Sequence, residues 1–539
     1  MSQKPSPALF LSLAAILVAP SALRAQAPAE PLDQAAVAFF LEEGLQRSQV
    51  MDHLSWLCDV YGPRVTGSPN LRRAQQFAVR RFGEFGLQNA RTEAYGPFGR
   101  GWRCDHVSVG VVGENPWSVL AYPKAWSPGI AGRIVADVVH VAAMTAEALQ
   151  AADLQGKIVL IDAPRDIQEP FVAPSQRFTA EDLLRKADQV RAEAQPVGER
   201  AAAAAAQNDF RMGFQRRQQM LEIVQQKGPL AIVDRGSKGD YGAVFVTGAA
   251  AIAKAGGRAN ARDVGAEVIP QFTFAVEHYN RICRLLQRGV PVQVAIELQT
   301  TFFDDDLNDY NVLADLPGSD AECGQELAMI GAHLDSWQAG TGATDNGCGS
   351  AVVMEAARLI AAWCKQSGQA PRRTIRACLW SGEEQGLLGS RAYAGKHLGT
   401  AAEPGPEHAL VSGYFNLDNG TGKVRGVYLQ GNEAVAPIFR AWLRPFHTHG
   451  ASTLTLDDTG GTDHLAFHGL GVPGFQFIQD PVSYDTKTHH SNMDVWDHAV
   501  AADLQQAAVV MATFAWHTAQ RAEKLPRQQA PPPRVRTGR

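Results

Sequence analysis

From Asn311 onward the chain alternates short β-rich runs with helical stretches, and that alternation limits its fold more than any other feature. NVLADLP, ELAMIGAHLD, TIRACLWS, YFNLDN, VYLQG and VPGFQFI read as strands, rich in Val, Ile and aromatic residues and bounded by Gly or Pro. Between them, residues 351–363 read as a helix with Val352, Val353, Ala356, Leu359, Ile360 and Trp363 on one side, and the last helix falls near residues 499–520. Such alternation marks an α/β fold: a mixed, mostly parallel sheet with helices on both faces.

Upstream the texture differs. Residues 32–102 carry helical periodicity, in Phe39, Leu41 and Leu45, then Met51, Leu54 and Leu57, then Phe77, Val79, Phe82 and Leu87. From Trp117 short strands take over, WSVLAYP, RIVADVVHV and LQGKIVLID, and their texture returns at PLAIVDRG and GAVFVTG. The charged, Ala- and Gln-rich stretch 173–227 interrupts them and reads as an inserted helical hairpin or lid. The expected organisation is a main domain over 33–116 and 272–520, a β-rich domain over 117–271 inserted into it, and a disordered Pro- and Arg-rich tail at 521–539.

The first 27 residues, with Lys4, an apolar run from Ala8 to Val18 and small residues at Ala25 and Ala27, have the layout of a cleaved secretory signal peptide. The mature chain is therefore expected to be secreted or periplasmic. No other stretch reaches about 18 uninterrupted apolar residues, so no membrane span is expected. A net charge of -5 over 539 residues, without a local basic patch, gives no reason to expect nucleic acid as a partner. Seven cysteines without CxxC spacing argue against a Cys-ligated metal and against a disulfide scaffold.

The candidate chemistry falls at strand ends, where open α/β sheets place their ligands. GAHLDSWQAGTGATDNGCGS, residues 331–350, carries His333, Asp335 and Asp345. On one helix His333 and Asp345 would stand about 18 Å apart, so a loop must bring them together, and Gly340, Gly342, Gly347 and Gly349 permit one. Asp335 can hydrogen-bond the free nitrogen of the His333 ring and fix its tautomer. In LWSGEEQG, the adjacent Glu383 and Glu384 point to different sides, one able to bind a metal and the other to face a water. YFNLDN places Asp418 at another strand end, and KTHHSNMDVWD offers His489 and His490, one of them a ligand, with Asp494 placed to orient it if the segment is helical.

In chain order, HxD, the Gly-rich loop ending in Asp-Asn-Gly, SGEEQG, NLDN and HHSxxD resemble the zinc exopeptidases of peptidase family M28, most closely its carboxypeptidase Q-like members. The resemblance spans residues 33–516 and implies the zinc-exopeptidase fold, with a protease-associated-like inserted domain. It implies two Zn2+ per chain: His333 and Asp418 on one, Glu384 and His490 on the other, and Asp345 bridging them. Glu383 is then the general base, acting with a metal-bridging hydroxide on peptide bonds near a terminus, and a cis peptide is expected at Asp345-Asn346. The choice of His490 over His489 follows the family's spacing of four to a later Asp. TDHLAFHGLGVPGFQF resembles a family segment that lines the pocket, so Asp463 or His464 is a candidate for substrate contact. Peptide is the expected substrate, and a homodimer agrees with the family pattern. Two other readings of the same fold stay open, a single-zinc transferase like glutaminyl cyclase and a non-catalytic binding protein.

Overall fold

The computed structural model describes residues 30–187, 212, 215–252 and 259–528. The expected signal peptide, part of the 173–227 insertion, residues 253–258 and the end of the expected tail lie outside the described residues.

The main sheet has eight strands in the order Gln88–Tyr95, Asp309–Leu316, Thr374–Trp380, Leu327–His333, Val411–Asn416, Gly474–Gln479, Val424–Tyr428 and Thr453–Thr455. Its four central strands are parallel to one another, and the flanking pairs bring in antiparallel neighbours. Register explains where the chemistry gathers. His333 pairs with Trp380 and Gly331 with Asn416, so three parallel strands end within two residues of one another. The chain leaving each end carries a candidate group: Asp335, then Glu383 and Glu384, then Asp418.

The central strands are buried throughout, as strands covered on both faces are. One face packs on helices Gln34–Gln46, Val50–Ser55, Pro69–Phe85, Cys348–Ser367 and Ala501–Gln520; the other packs Trp380, Tyr393, Tyr414 and Phe467. Among the described residues, the helical segment Ala343–Ser367 is long and apolar enough to cross a membrane, but 89% of its 18-residue apolar stretch is buried inside this fold, as the central helix of a core is.

A second eight-stranded sheet runs in the order Trp117–Ser118, Gly101–Val112, Gln293–Phe303, Ile134–His140, Ile158–Leu160, Ala231–Asp234, Gln271–Phe274 and Ala121–Pro123. It is wider than the expected 117–271, because Gly101–Val112 and Gln293–Phe303 pair along their whole length and carry the chain in and out of the module. Helical periodicity up to residue 102 also overran. Gln88–Tyr95 is an edge strand of the main sheet, and its mostly polar sequence, usual for an edge, hides its strand character.

Within the insertion, helices Ala180–Ala187 and 215–226 are present. Residues 521–528 correct the expected disordered tail: Leu525 is buried, its N–H donates to the Ser412 hydroxyl, and Arg527 donates to the carbonyls of His408 and Val411. The basic and apolar side chains of this stretch pack at the start of the central strand Val411–Asn416, a contact that composition alone did not reveal. All seven cysteines are free.

The first two helices are fastened to the core through Glu355, which is fully buried in Cys348–Ser367. Its carboxylate accepts from the Ser48 hydroxyl at 3.0 Å, the Gln49 N–H at 3.1 Å and Arg358 at 2.8 and 2.9 Å. Burial opposes its charge, but Arg358 and His53 outweigh burial and lower its pKa to about 2. A depressed carboxylate stabilises the fold above its unfolded value of 4.5, and that contribution fades as pH falls toward about 2. Glu355→Ala should destabilise the protein by about 3–5 kcal/mol at neutral pH, since it strands Arg358 in the core. Denaturant titrations of both proteins should show the gap narrowing as pH falls below about 4.5.

Candidate metal centre

The loop from His333 to Asp345 folds back as its glycines permit. Gly342 has φ +69°, and a Cβ there would come within 2.3 Å of the Ser336 Cβ; at Gly340 one would meet the Asp494 and Ser491 carbonyls at 2.6 Å. The return is held by a residue that the sequence reading passed over. Arg64, fully buried, donates to the carbonyls of Leu334 at 2.6 Å, Leu57 at 2.9 Å, Thr341 at 2.8 Å and Gly342 at 2.7 Å. Its own N–H donates to the Ser336 hydroxyl. Arg64 lies in YGPRVTGSPN, a turn-rich run with no hydrophobic pattern, so nothing local marked it as a buried hub.

The structure brings the five proposed ligands together. His333 Nε2 lies 3.3 Å from an Asp345 oxygen and 3.4 Å from an Asp418 oxygen. On the other side, His490 Nε2 lies 3.2 Å from the second Asp345 oxygen and 2.9 Å from Glu384. Asp345 therefore faces both imidazoles, one with each oxygen. The peptide bond Asp345-Asn346 is cis, as the family pattern implies. His489 Nε2 stands farther off, 3.8 Å from Asp345, and its Nδ1 meets the Lys238 ammonium at 2.8 Å.

Two orienting roles differ from expectation. His333 Nδ1 points 3.1 Å from the backbone carbonyl of Asp335 and 3.6 Å from its carboxylate, because the strand ends at His333 and the chain turns. The Asp335 carboxylate instead accepts from the Thr66 hydroxyl and, at 3.3 and 3.4 Å, from the N–H groups of Glu383 and Glu384, so it places the paired glutamates. Asp494 does not orient His490, because residues 489–494 form turns, with His490 at φ +58°, and not a helix. Its carboxylate accepts from the N–H and hydroxyl of Thr344 and the N–H of Asp345, fixing the loop that carries the central ligand.

Asp463 and His464 separate likewise. His464 is fully buried and turned to Gln430, 2.7 Å away, and burial lowers its pKa to about 4. Asp463 faces the centre: burial, with the charges of Asp418 and Asp335, outweighs His333 and Ser390 and pushes it up to about 7.

Six carboxylates thus share one buried region: Asp335, Asp345, Glu383, Glu384, Asp418 and Asp463. Burial and the nearby Asp345 push Glu384 up to about 7, and burial with Asp418 and Asp463 drives Glu383 well above the ordinary carboxylate range. Burial would lower the pKa of His333, yet Asp418 and Glu383 outweigh it and raise it well above the ordinary imidazole range. Surplus negative charge of this size calls for cations. The atoms best placed to receive them, His333 Nε2, Asp345 Oδ2, Glu384 Oε1 and Asp418 Oδ1, are buried and make no hydrogen bond. Imidazole with carboxylate is a donor set suited to zinc.

The pattern of peptidase family M28 matches residues 311–515, the stretch that contributes all five ligands. Residues 311–515 form a peptidase family M28 domain. Carboxypeptidase Q of Rattus norvegicus is 24% identical over 497 residues, 90% of this chain and 88% of that protein. Aminopeptidase YwaD of Bacillus subtilis is 30% identical over 208 residues, 38% of this chain and 43% of its own length. Among solved structures, an M28 peptidase precursor from Shewanella amazonensis aligns with a TM-score of 0.63 at 24% identity, over 93% of this chain and 99% of that one. A zinc aminopeptidase from Bacillus subtilis aligns at 0.53 and 18% identity, over 88% and 96%. These likenesses establish the zinc-exopeptidase fold of the M28 domain, and the chain is a metallopeptidase.

Arg64 gives the site a test of its own. Arg64→Ala takes the guanidinium from four carbonyls, of which Gly342 keeps the Gly347 N–H, and each one left buried and unpaired costs about 1–3 kcal/mol. A loss of at least about 3 kcal/mol in denaturant stability is expected, together with weaker metal retention in dialysis against chelator. Lysine, lacking the planar fork, should restore only part of both.

Proposed function

We propose that this zinc metallopeptidase is an exported di-zinc exopeptidase that shortens small peptides from one end. The observation that carries the reading is Asp345, whose two oxygens face two separate imidazole and carboxylate pairs. His333 and Asp418 would hold one ion, Glu384 and His490 the other, and Asp345 both. One zinc would suffice for a transferase like glutaminyl cyclase, whereas two complete half-sites favour two. A bare binding protein would have no need of Glu383. Two zinc ions, when bound, supply Lewis acidity to the scissile carbonyl and to the attacking water.

The rest of the chemistry belongs to the chain. Glu383, partly buried and fixed through its N–H by Asp335, is the group to take a proton from the attacking water and hand it to the leaving amine. Its elevated proton affinity suits that exchange, since an ordinary carboxylate would release a proton too readily to accept one. Asp463, held near the same centre, is the candidate for contact with the substrate's polar backbone. Glu384, Gln385 and Trp337 border a cleft of about 890 Å3 whose far wall is helix 215–226 and residues 248–251. That volume lies in the range of small-ligand pockets, which suits a short peptide and excludes a folded segment. Export follows from the leader layout at residues 1–27.

Glu383→Gln should keep both metals by elemental analysis while kcat falls by about 10²–10⁴. Undiminished turnover would remove Glu383 from the chemistry. Asp345→Asn should weaken both metals, and Asp418→Asn chiefly one, read as stepwise release in a chelator titration; equal loss from the two variants contradicts the bridging role.

A further inference from the structure

The described contacts of His490 leave an open question about what orients it. A metal-binding imidazole ordinarily donates its second N–H to a carboxylate, a carbonyl or a water. Here His490 Nδ1 is buried without a hydrogen-bond partner, and Asp494, four residues on, serves Thr344 and Asp345 instead. His490 also has φ +58°, a conformation that non-glycine residues adopt only when their surroundings enforce it.

Part of its surroundings comes from the second sheet's module, beside Trp337 and His489 of the main domain. The Phe245 ring stacks on the His490 ring at 5.4 Å and 21°, and Trp337 packs edge-on against it at 5.9 Å. The backbone is fastened alongside. The N–H of Val246 donates to the His490 carbonyl at 2.8 Å, Phe245 forms an antiparallel bridge with Ser491, and the N–H of Val244 donates to the Asn492 side chain at 2.6 Å. Asn492 in turn donates to the Gly242 carbonyl at 3.1 Å. Residues 242–246 thus form a short ribbon with 490–492, and its central side chain lies flat on the ligand.

We propose that Phe245 is a positioning residue for His490, so that the second module is a structural part of the half-site formed by Glu384 and His490. This rests on the two-metal reading above. Stacking sets the plane of the ring, and the ribbon sets the backbone from which it projects; together they replace the missing hydrogen bond to Nδ1. The other half-site, His333 with Asp418, is built from main-sheet strand ends and the loop fastened by Arg64, and none of its described contacts involves Phe245.

The test is a chelator titration of purified holoenzyme, with released zinc followed by a colorimetric indicator. Wild type, Phe245→Ala and Phe245→Tyr are compared, with the melting temperature of each metal-free protein measured alongside. In Phe245→Ala one of the two zinc ions should bind about 10–100-fold more weakly, the range for loss of an outer-shell partner, while the other is unchanged. Phe245→Tyr, which keeps the stacked ring, should restore wild-type affinity. Unchanged affinity for both ions in Phe245→Ala overturns the proposal, and so does an equal loss from both. Should Phe245→Ala fail to fold, Phe245→Leu, which keeps bulk without a stacking face, is judged by the same split. The wild-type titration tests the two-metal reading separately: a single ion per chain overturns that reading, and Phe245 is then judged on that ion's affinity alone.

Discussion

Repulsion among buried carboxylates governs this structure. Six of them crowd one region at the ends of three parallel strands, and at neutral pH histidines alone do not balance them. At an effective dielectric near 20, two like charges about 5 Å apart repel by roughly 3 kcal/mol, and the cluster contains several such pairs. A fold that keeps these groups together needs cations to hold them and stiff supports to stop them from separating. Both needs are visible. The ligand atoms face inward without hydrogen bonds, and three of the ligand-bearing segments are fastened from behind by a dedicated group: Arg64 for the 334–342 return, Asp494 for the turn carrying Asp345, Asp335 for the paired glutamates.

Much of this was legible in the sequence, for a physical reason. Strands buried on both faces must be nearly continuous in apolar residues, so LAMIGAH, TIRACLW and VSGYFN stand out, and the polar groups that follow them mark where each strand ends. His333, Glu383, Glu384 and Asp418 sit at or just beyond those punctuation points, while Asp345 and His490 arrive on loops. What stayed hidden acts across long sequence separations. Arg64 serves a loop some 270 residues away, and Phe245 serves a histidine nearly as distant. Neither lies in a local pattern that announces its partner. The roles assigned to Asp335 and Asp494 went astray for a related reason: spacing predicts which residues can be neighbours on a strand or helix, and both segments turn instead.

The boundaries of the second module were the least legible element. Gly101–Val112 begins where the helical reading ends and does not stand out as a strand, and its partner Gln293–Phe303 lies nearly two hundred residues further on. Only when paired do they form one long ribbon, and edge position explains why the preceding Gln88–Tyr95 is so polar.

That ribbon carries both covalent connections of the module, which also meets the main domain through Gln176 at Val482 and Arg177 at Asp480. Gly101 pairs with Phe303, so the two chain crossings between the sheets lie side by side and act as one pivot. The opposite anchorage is the contact of residues 242–246 with 490–492, beside the ion-holding groups. A body tethered at a pivot and at a ligand obeys thermodynamic reciprocity: whatever free energy its docking adds to the grip on an ion, the ion returns to the docking. Loading of the half-site and orientation of the second sheet are then two readings of one equilibrium.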